Sequence, residues 1–372
     1  MKRLFCLLLV LCLMLTGCGK KAAEVPATEA TTVPTTKATE PPTTEATEPP
    51  TTEETKPAEP VAIVNPLTGE PLEAPYTGRP VAFSLNNIYD CLPQSGLQYL
   101  DWMFEVETEG GITRCVGIMT DPAKAEAVGP IRSCRSYFLN LSVSYNAPLF
   151  HCGASVYANN NQYSISDAVK SWDHFDEKAY SNYFYRDEYR YDVLDYAWEH
   201  TLFTSGELMA EAMEDEGYNP TGKEPVSYGY QFAQEPALDG QAAENIQIRF
   251  LGDKTTTMEY DAASGLYLAH QYGEDWIDAD TEENVAFRNV LVITAEQSHK
   301  LSGHGNHSFY ELDGSGDGYF AVDGKMIPVK WHHEDAKGPF SFTLEDGTTP
   351  ITLGVGKTYC AIIDVTGSVT AE

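Results

Sequence analysis

"LDWMFEVETEGGITRCVGIM", residues 100–119, is the stretch whose reading decides the fold. Trp102, Phe104 and Val106 alternate with Glu105, Glu107 and Glu109, the two-residue period of a half-buried strand. Gly110-Gly111 supplies a two-residue hairpin turn, because paired glycines accept the positive φ that a type I′ turn demands. The chain then returns as a second strand through Ile112 to Met119. In that register Glu109 faces Ile112 and Glu107 faces Arg114, so Arg114 is expected to neutralise Glu107 across the ladder, a contact worth about 0.2–1 kcal/mol if exposed.

Working outward, "NPLTGEPL" (65–72) is a Pro- and Gly-marked turn, and "RPVAFSLNN" (79–87) reads as a strand ending in a polar loop. Downstream, Gly129-Pro130 turns the chain, and "RSCRSYFLNLSVSY" (132–145) reads as a helix that sets Arg132 and Arg135, three apart, on one face. A helix N-terminus favours anions, and two guanidinium groups strengthen that preference; the competing reading pairs both arginines with internal carboxylates or carbonyls. "APLFHCGAS" (147–155) reads as a buried strand entering a glycine turn, with His151 at its end as either a hydrogen-bonded core residue or a catalyst. From Thr204 to Gly217 a helix is predicted, with Ser205 as N-cap, Leu208, Met209 and Met213 on one face and Gly217 as stop. Residues 225–245 are polar and weakly patterned, and beyond them come short strands separated by Gly, Asp and Asn turns.

The fold class expected is therefore α+β: a mixed N-terminal unit with a β hairpin and helices over 63–224, and a mostly-β C-terminal unit over 225–372. Ahead of them, Lys2 and Arg3 precede an apolar run, Leu4 to Leu15, that is too short to stay in a bilayer as a helix. The run closes on Leu15-Thr16-Gly17-Cys18, the pattern of a bacterial lipobox, so residues 1–17 read as a lipoprotein signal peptide and Cys18 as the acylated first residue. Two or three acyl chains anchor firmly, since each buried methylene contributes roughly 0.8 kcal/mol. The address expected is the outer face of the cytoplasmic membrane, with membrane lipid as a partner through Cys18. Residues 18–62 are mostly Thr, Pro, Glu and Ala without an aromatic ring, and cannot bury enough apolar surface to offset chain entropy. This tether of about forty residues reaches on the order of 100 Å if it runs near the polyproline rise of about 3.1 Å per residue.

The chain carries 24 Lys and Arg against 55 Asp and Glu, a formal net charge of −31. No basic stripe exists to release counterions from phosphate, which argues against nucleic acid, and any anion has to be held at one focused site. Of eight cysteines, Cys6 and Cys12 leave with the signal peptide and Cys18 is lipidated. Cys91, Cys115, Cys134, Cys152 and Cys360 read as buried free thiols or, alternatively, as one disulfide among the first four.

"NPLTG", "RPVAFSLNN", "PQSGL", "EGGITR", "GPIRSCRSYF", "HCGAS" and "FYRD", in this order, resemble the YerB-like bacterial lipoproteins, built on a domain of unknown function. "YDAASGLYLAHQYG", "NVLVI", "GDGYFAVDGKMIPVKW" and "ITLGVGKTYCAII" are similar to the C-terminal half of that family. The resemblance covers nearly everything after Asn65 and implies an α+β protein of two connected units, with no reaction attached. Two departures stand where a site would be: Cys152-Gly153-Ala154 in place of a Gly-Gly pair after the histidine, and Glu199-His200-Thr201 in place of a Pro-His-Asn segment.

Asp313, Ser315 and Asp317 imitate a calcium loop, but its twelfth position is Gly324 rather than a bidentate Glu, so the stretch reads as a glycine-rich turn. His299, His304 and His307, with His332 and His333 further on, lack zinc-site spacing. No metal and no cofactor is expected. The candidate site is a cleft in the first unit gathering Arg114, Arg132, Arg135 and Arg186 as ligand-binding residues for an anionic cell-wall or lipid-linked group. The alternative is an envelope-acting hydrolase or transferase in which Glu105, His151 and His200 are catalytic, the first two as acid and base. No nucleophile motif appears, so binding is favoured over turnover.

Overall fold

The computed structural model describes residues 63–159, 172–219, 224–252, 254–302, 305–334 and 337–372. The signal peptide, Cys18, the tether and His304 lie outside them.

The hairpin forms from β2 (Trp102–Glu107) and β3 (Thr113–Met119), and β1 (Val81–Asn87) adds antiparallel to β3. The register differs by one residue from the two-residue-turn reading: Glu107 pairs with Thr113 and Val106 with Arg114. Thr108 N–H bonds to the Ile112 carbonyl at 2.8 Å, closing a longer loop around Glu109, Gly110 and Gly111. Glu109 is drawn out of the ladder because its carboxylate accepts from the Arg135 guanidinium and from Ser308 N–H. A one-residue slip moves every side chain to the other face. Arg114 therefore shares the face of Val106 and does not meet Glu107.

β4 (Leu149–His151) lies parallel to β1, and β5 (His174–Asp176) parallel to β4. On the other side of the hairpin, β2 pairs in parallel with Thr358–Asp364, which pairs in parallel with Asn289–Ala295. Gly314–Val322, Lys325–His333 and Ser341–Thr343 continue the same sheet antiparallel. Asp313, Ser315 and Asp317 thus sit at the start of and along an extended strand rather than in a curled ion loop. Because β3 is antiparallel to both neighbours, β1, β2, β4, β5 and the strands 289–295 and 358–364 all point the same way. Their carboxyl ends emerge along one edge of the sheet.

Both halves contribute to this one sheet, the strands after residue 225 as one contiguous block and β1–β5 as the other, joined where β2 pairs with Thr358–Asp364. Every described element after Asp215 is a strand, in keeping with a mostly-β C-terminal half. Asn245–Arg249, Thr255–Asp261, Leu266–Gln271 and Ser368–Ala371 build a second sheet that covers one face of the first. Phe83, Leu85, Met103 and Cys115 meet Ile246, Ile248, Met258 and Trp276 there. The opposite face, carrying Trp102, Phe104, Val106 and Val116, is covered by α1 (Ser136–Ser144) through Tyr137, Phe138 and Leu141.

α1 begins four residues later than the sequence pattern predicts, with Arg135 as an extended N-cap at φ −122°. The residues ahead of it are taken by the sheet: Arg132 N–H bonds to the Ser84 carbonyl at 2.7 Å, and the Arg132 carbonyl accepts from Cys152 N–H at 3.1 Å. Arg132 and Arg135 therefore do not share a helix face. The helix Gly206–Asp215 is as expected, with Ser205 Oγ accepting from Leu208 N–H and Met209 and Met213 buried.

All five cysteines of the folded part are free thiols; Cys91, Cys115, Cys134 and Cys360 are buried and Cys152 is partly so. Burial pushes the Cys91 thiol up to about 12, which suppresses thiolate formation. With the mature chain, a thiol reagent without reductant should react fast with no more than the Cys152 thiol in buffer, and with all five after denaturation. A count of three in denaturant would reveal a disulfide.

Candidate functional site

The carboxyl edge of the parallel strands is where open α/β sheets place their ligands. Here Gly129–Arg135 crosses that edge, wedged between the ends of β1 and β4. Gly129 is required by close packing, because a Cβ there would lie 2.6 Å from the Phe203 ring and 2.8 Å from the Leu202 carbonyl. Ile131 N–H bonds to that same Leu202 carbonyl, and Cys134 N–H to the Gly153 carbonyl at 2.9 Å. Gly153 itself has φ +68°, and a Cβ on it would meet Lys178 Nζ at 3.7 Å and Ser133 Oγ at 3.8 Å. The "IRSC" and "HCGA" segments therefore meet, with Lys178 leaning over their junction.

The four candidate arginines differ in how they are held. Arg135 is clasped: Nε and Nη2 bond to the two oxygens of Glu109 at 2.6–3.0 Å. Burial opposes its charge, yet Glu109 outweighs that and raises its pKa, while Arg135 in turn holds the Glu109 carboxyl below its usual range against the same burial. Arg186 donates to the Trp198 carbonyl and lies 4.6 Å above the Trp198 ring. Arg132 approaches the exposed Glu199 carboxylate at 3.7 Å and its carbonyl at 3.4 Å, and its buried Nε has no partner.

Arg114 is the anomaly. It is 5% exposed and donates from Nη1 to the Ser133 carbonyl at 2.7 Å; its Nε is buried without a partner, and no described carboxylate pairs with it. Burial, reinforced by Arg135 and Arg132, pulls its pKa down to about 9. A buried guanidinium with an unmatched donor is costly unless a charge or acceptor reaches it.

The histidines are neutral by their surroundings. His151 is 1% exposed; its Nδ1 lies 2.8 Å from the Gly153 carbonyl and its Nε2 2.9 Å from His174 Nδ1. A carbonyl only accepts, so His151 Nδ1 donates, its Nε2 accepts from His174 Nδ1–H, and His174 Nε2 carries a lone pair. Burial depresses His151 to about 4 and also lowers His174. His200, 4% exposed, accepts at Nδ1 from the Asn86 amide at 2.9 Å, and burial, then Arg132, lowers its pKa.

Glu105 stands apart from all of these. It is fully buried on the opposite face of the sheet, where Asn87, Thr113, Thr256 and Tyr359 donate to it at 2.6–3.0 Å and Lys254 Nζ lies 3.4 Å away. The single cleft expected to hold Glu105 with the arginines and His151 is therefore not formed: β2 turns Glu105 one way while Arg114 and His151 face the other. His174, Lys178, Ser133 and Asn86 belong to the edge and were not among the sequence candidates. His174 lies on a three-residue strand, too short for any period to betray it. Among the described residues, no group of three His, Cys, Asp or Glu side chains is placed to hold a metal ion.

Comparison with known proteins places this architecture. Residues 67–219 match the model described as the N-terminal domain of a protein of unknown function (DUF3048), and residues 246–360 match its C-terminal domain. "Putative lipoprotein YerB" of Bacillus subtilis (strain 168) is 28% identical over 312 residues, covering 80% of this chain and 88% of that protein. The crystal structure of the YerB protein from Bacillus subtilis superposes with a TM-score of 0.69 at 26% identity, covering 82% of this chain and 99% of that one. With both halves matched in order and the same fold in a solved relative, this chain belongs to the DUF3048 family.

Proposed function

We propose that the protein is a lipoprotein, anchored through acylated Cys18 on the outer face of the cytoplasmic membrane, that binds an anionic group of cell-envelope material or of a partner at the Arg114–Arg132 edge. The observation that carries this reading is Arg114: a guanidinium 5% exposed, with one carbonyl for a partner and Nε unmatched. Arg132 adds a second unmatched Nε, and Lys178 and the uncapped start of α1 lie on the same edge. A phosphate or carboxylate supplies the acceptors both arginines lack, in charge-assisted and often bidentate hydrogen bonds. Arg135 is better read as part of the frame, since Glu109 already occupies it.

An acid–base role for Glu105 with His151 finds no support in the geometry, because the two lie on opposite faces and Glu105 is saturated with donors. Binding without turnover is the reading retained. Titration of the full chain with inorganic pyrophosphate tests it. Arg132→Ala and Arg114→Met should each weaken binding by about tenfold or more, with Arg132→Ala leaving the melting temperature close to that of the parent. Equal affinity in both variants, or no binding by the parent, defeats the proposal. For the anchor, Cys18→Ser should move the protein from the membrane fraction to the soluble one.

A further inference from the structure

Adjoining the arginine edge at His200, the loop after β1, the segment around Tyr196 and the end of the strand Leu266–Gln271 enclose two neighbouring clefts of about 580 and 540 Å³ that share Asp90 and Tyr196. Their walls carry aromatic rings from Tyr89, Tyr196 and Trp276, the imidazole of His200, the carboxylates of Asp90, Asp195, Glu274 and Asp275, the last of them held by His270 at 3.0 Å, and no Lys or Arg. Large apolar side chains stand exposed around them, including Tyr89 at 54%, Leu194 at 50% and Trp198 at 54%. An exposed apolar patch of this kind on a tethered protein marks a contact surface.

The chemistry of the groove selects its occupant. Among the described residues, Asp90, Asp195 and Glu274 have no ion pair and their carboxylates accept no hydrogen bond, so three negative charges line one groove without a direct partner, the Arg190 guanidinium being buried against Tyr196 and the carbonyls of Cys91 and Pro93. Gln271, 2% exposed, lines the first cleft with a buried Nε2 that has no partner. Its Oε1 is taken by Lys254 Nζ at 2.5 Å, and an ammonium can only donate, so the amide NH₂ is the end left over for an external acceptor. The rings nearby already stack on cations of the chain itself, Arg190 over Tyr196 at 4.2 Å and Arg186 over Trp198 at 4.6 Å.

We infer that this groove docks a lysine- or arginine-bearing segment of a partner polypeptide, whose cationic side chains meet the free carboxylates and ring faces while a main-chain carbonyl takes the Gln271 amide. The chain's own Thr/Pro/Glu-rich tether and a second copy of this protein of net charge −31 are both disfavoured by like charge. A neutral glycan would leave the three carboxylates uncompensated.

The test is fluorescence anisotropy of the full chain with a short labelled peptide alternating Arg and Gly. Saturable binding that weakens with salt is expected, reduced about tenfold or more in Asp90→Asn/Glu274→Gln and in Tyr89→Ala, and not reduced in Arg132→Ala. That last arm separates this groove from the anion site, so either proposal can fail alone. Equal peptide affinity in the groove variants overturns the inference, as does binding of a neutral chito-oligosaccharide or of calcium in place of the peptide.

Discussion

Glu105→Gln should lower the unfolding free energy by about 3–5 kcal/mol, the range for breaking a buried ion pair by removing one partner. Glu105 and Lys254 are 0% and 2% exposed at the side chain and sit 3.4 Å apart between the two sheets. The carboxylate also receives Asn87 of β1, Thr113 of β3, Thr256 of the second sheet and Tyr359 of the strand 358–364. Glutamine keeps the shape, but it turns an NH₂ toward groups that donate and leaves the Lys254 ammonium without a counter-charge. Lys254 would retain Gln271 Oε1 and the faces of the Tyr272 and Trp276 rings, 4.4 and 5.5 Å from its nitrogen. Urea unfolding followed by tryptophan fluorescence measures the loss. Adding Lys254→Met to Glu105→Gln should recover part of it, because the orphaned charge is then gone. A loss below about 1 kcal/mol would mean that the pair is not closed to water.

The second large effect concerns Glu107, at the carboxyl end of β2. It is 4% exposed with Oε2 unpartnered, and burial pushes its carboxyl up to about 7. A carboxyl whose folded pKa lies above its unfolded value binds its proton more tightly in the fold. Glu107 therefore costs stability above about pH 7, and this cost fades as pH falls toward the ordinary value of 4.5. Glu107→Gln should stabilise the protein at pH 8 by about 1–3 kcal/mol and make little difference at pH 4.5. Melting curves of parent and variant across this range should converge on the acid side. A gap that is constant with pH would show that Glu107 does not titrate in this window.

The two glutamates also show what the sequence could and could not convey. The alternation from Trp102 to Glu107 correctly reads as a strand, and the glycine pair as its turn. Alternation alone implies one wet face, yet the second sheet, built from residues 245–271 and 368–371, covers the glutamate side and converts Glu105 into a buried hub. That covering is made by residues more than a hundred positions away, so no local pattern announces it. The hairpin register escaped for a related reason: Glu109 leaves the ladder to hold Arg135, which is 26 residues later. The same pair explains why Arg135 frames the edge instead of lining an open site. Arg114 and Arg132, singled out because so acidic a chain clusters cations there, do come to one edge of the sheet, Arg114 on its expected strand but turned away from Glu107, and Arg132 by insertion between strands rather than on a helix. The tyrosine- and aspartate-rich run near residues 189–200 shows no period, and its meaning becomes visible only when the end of the strand 266–271 closes the opposite wall of a groove.

The anion site at Arg114 is the claim on which the functional reading turns, and crystals of the full chain soaked in tungstate test it most directly. The account predicts an anomalous peak at the carboxyl edge of β1 and β4, within hydrogen-bonding reach of Arg132 and of Arg114 Nε, absent from crystals of Arg114→Met. Tungstate bound elsewhere while that edge stays empty, or Arg114 Nε satisfied by a protein carbonyl or carboxylate in the experimental density, would contradict it.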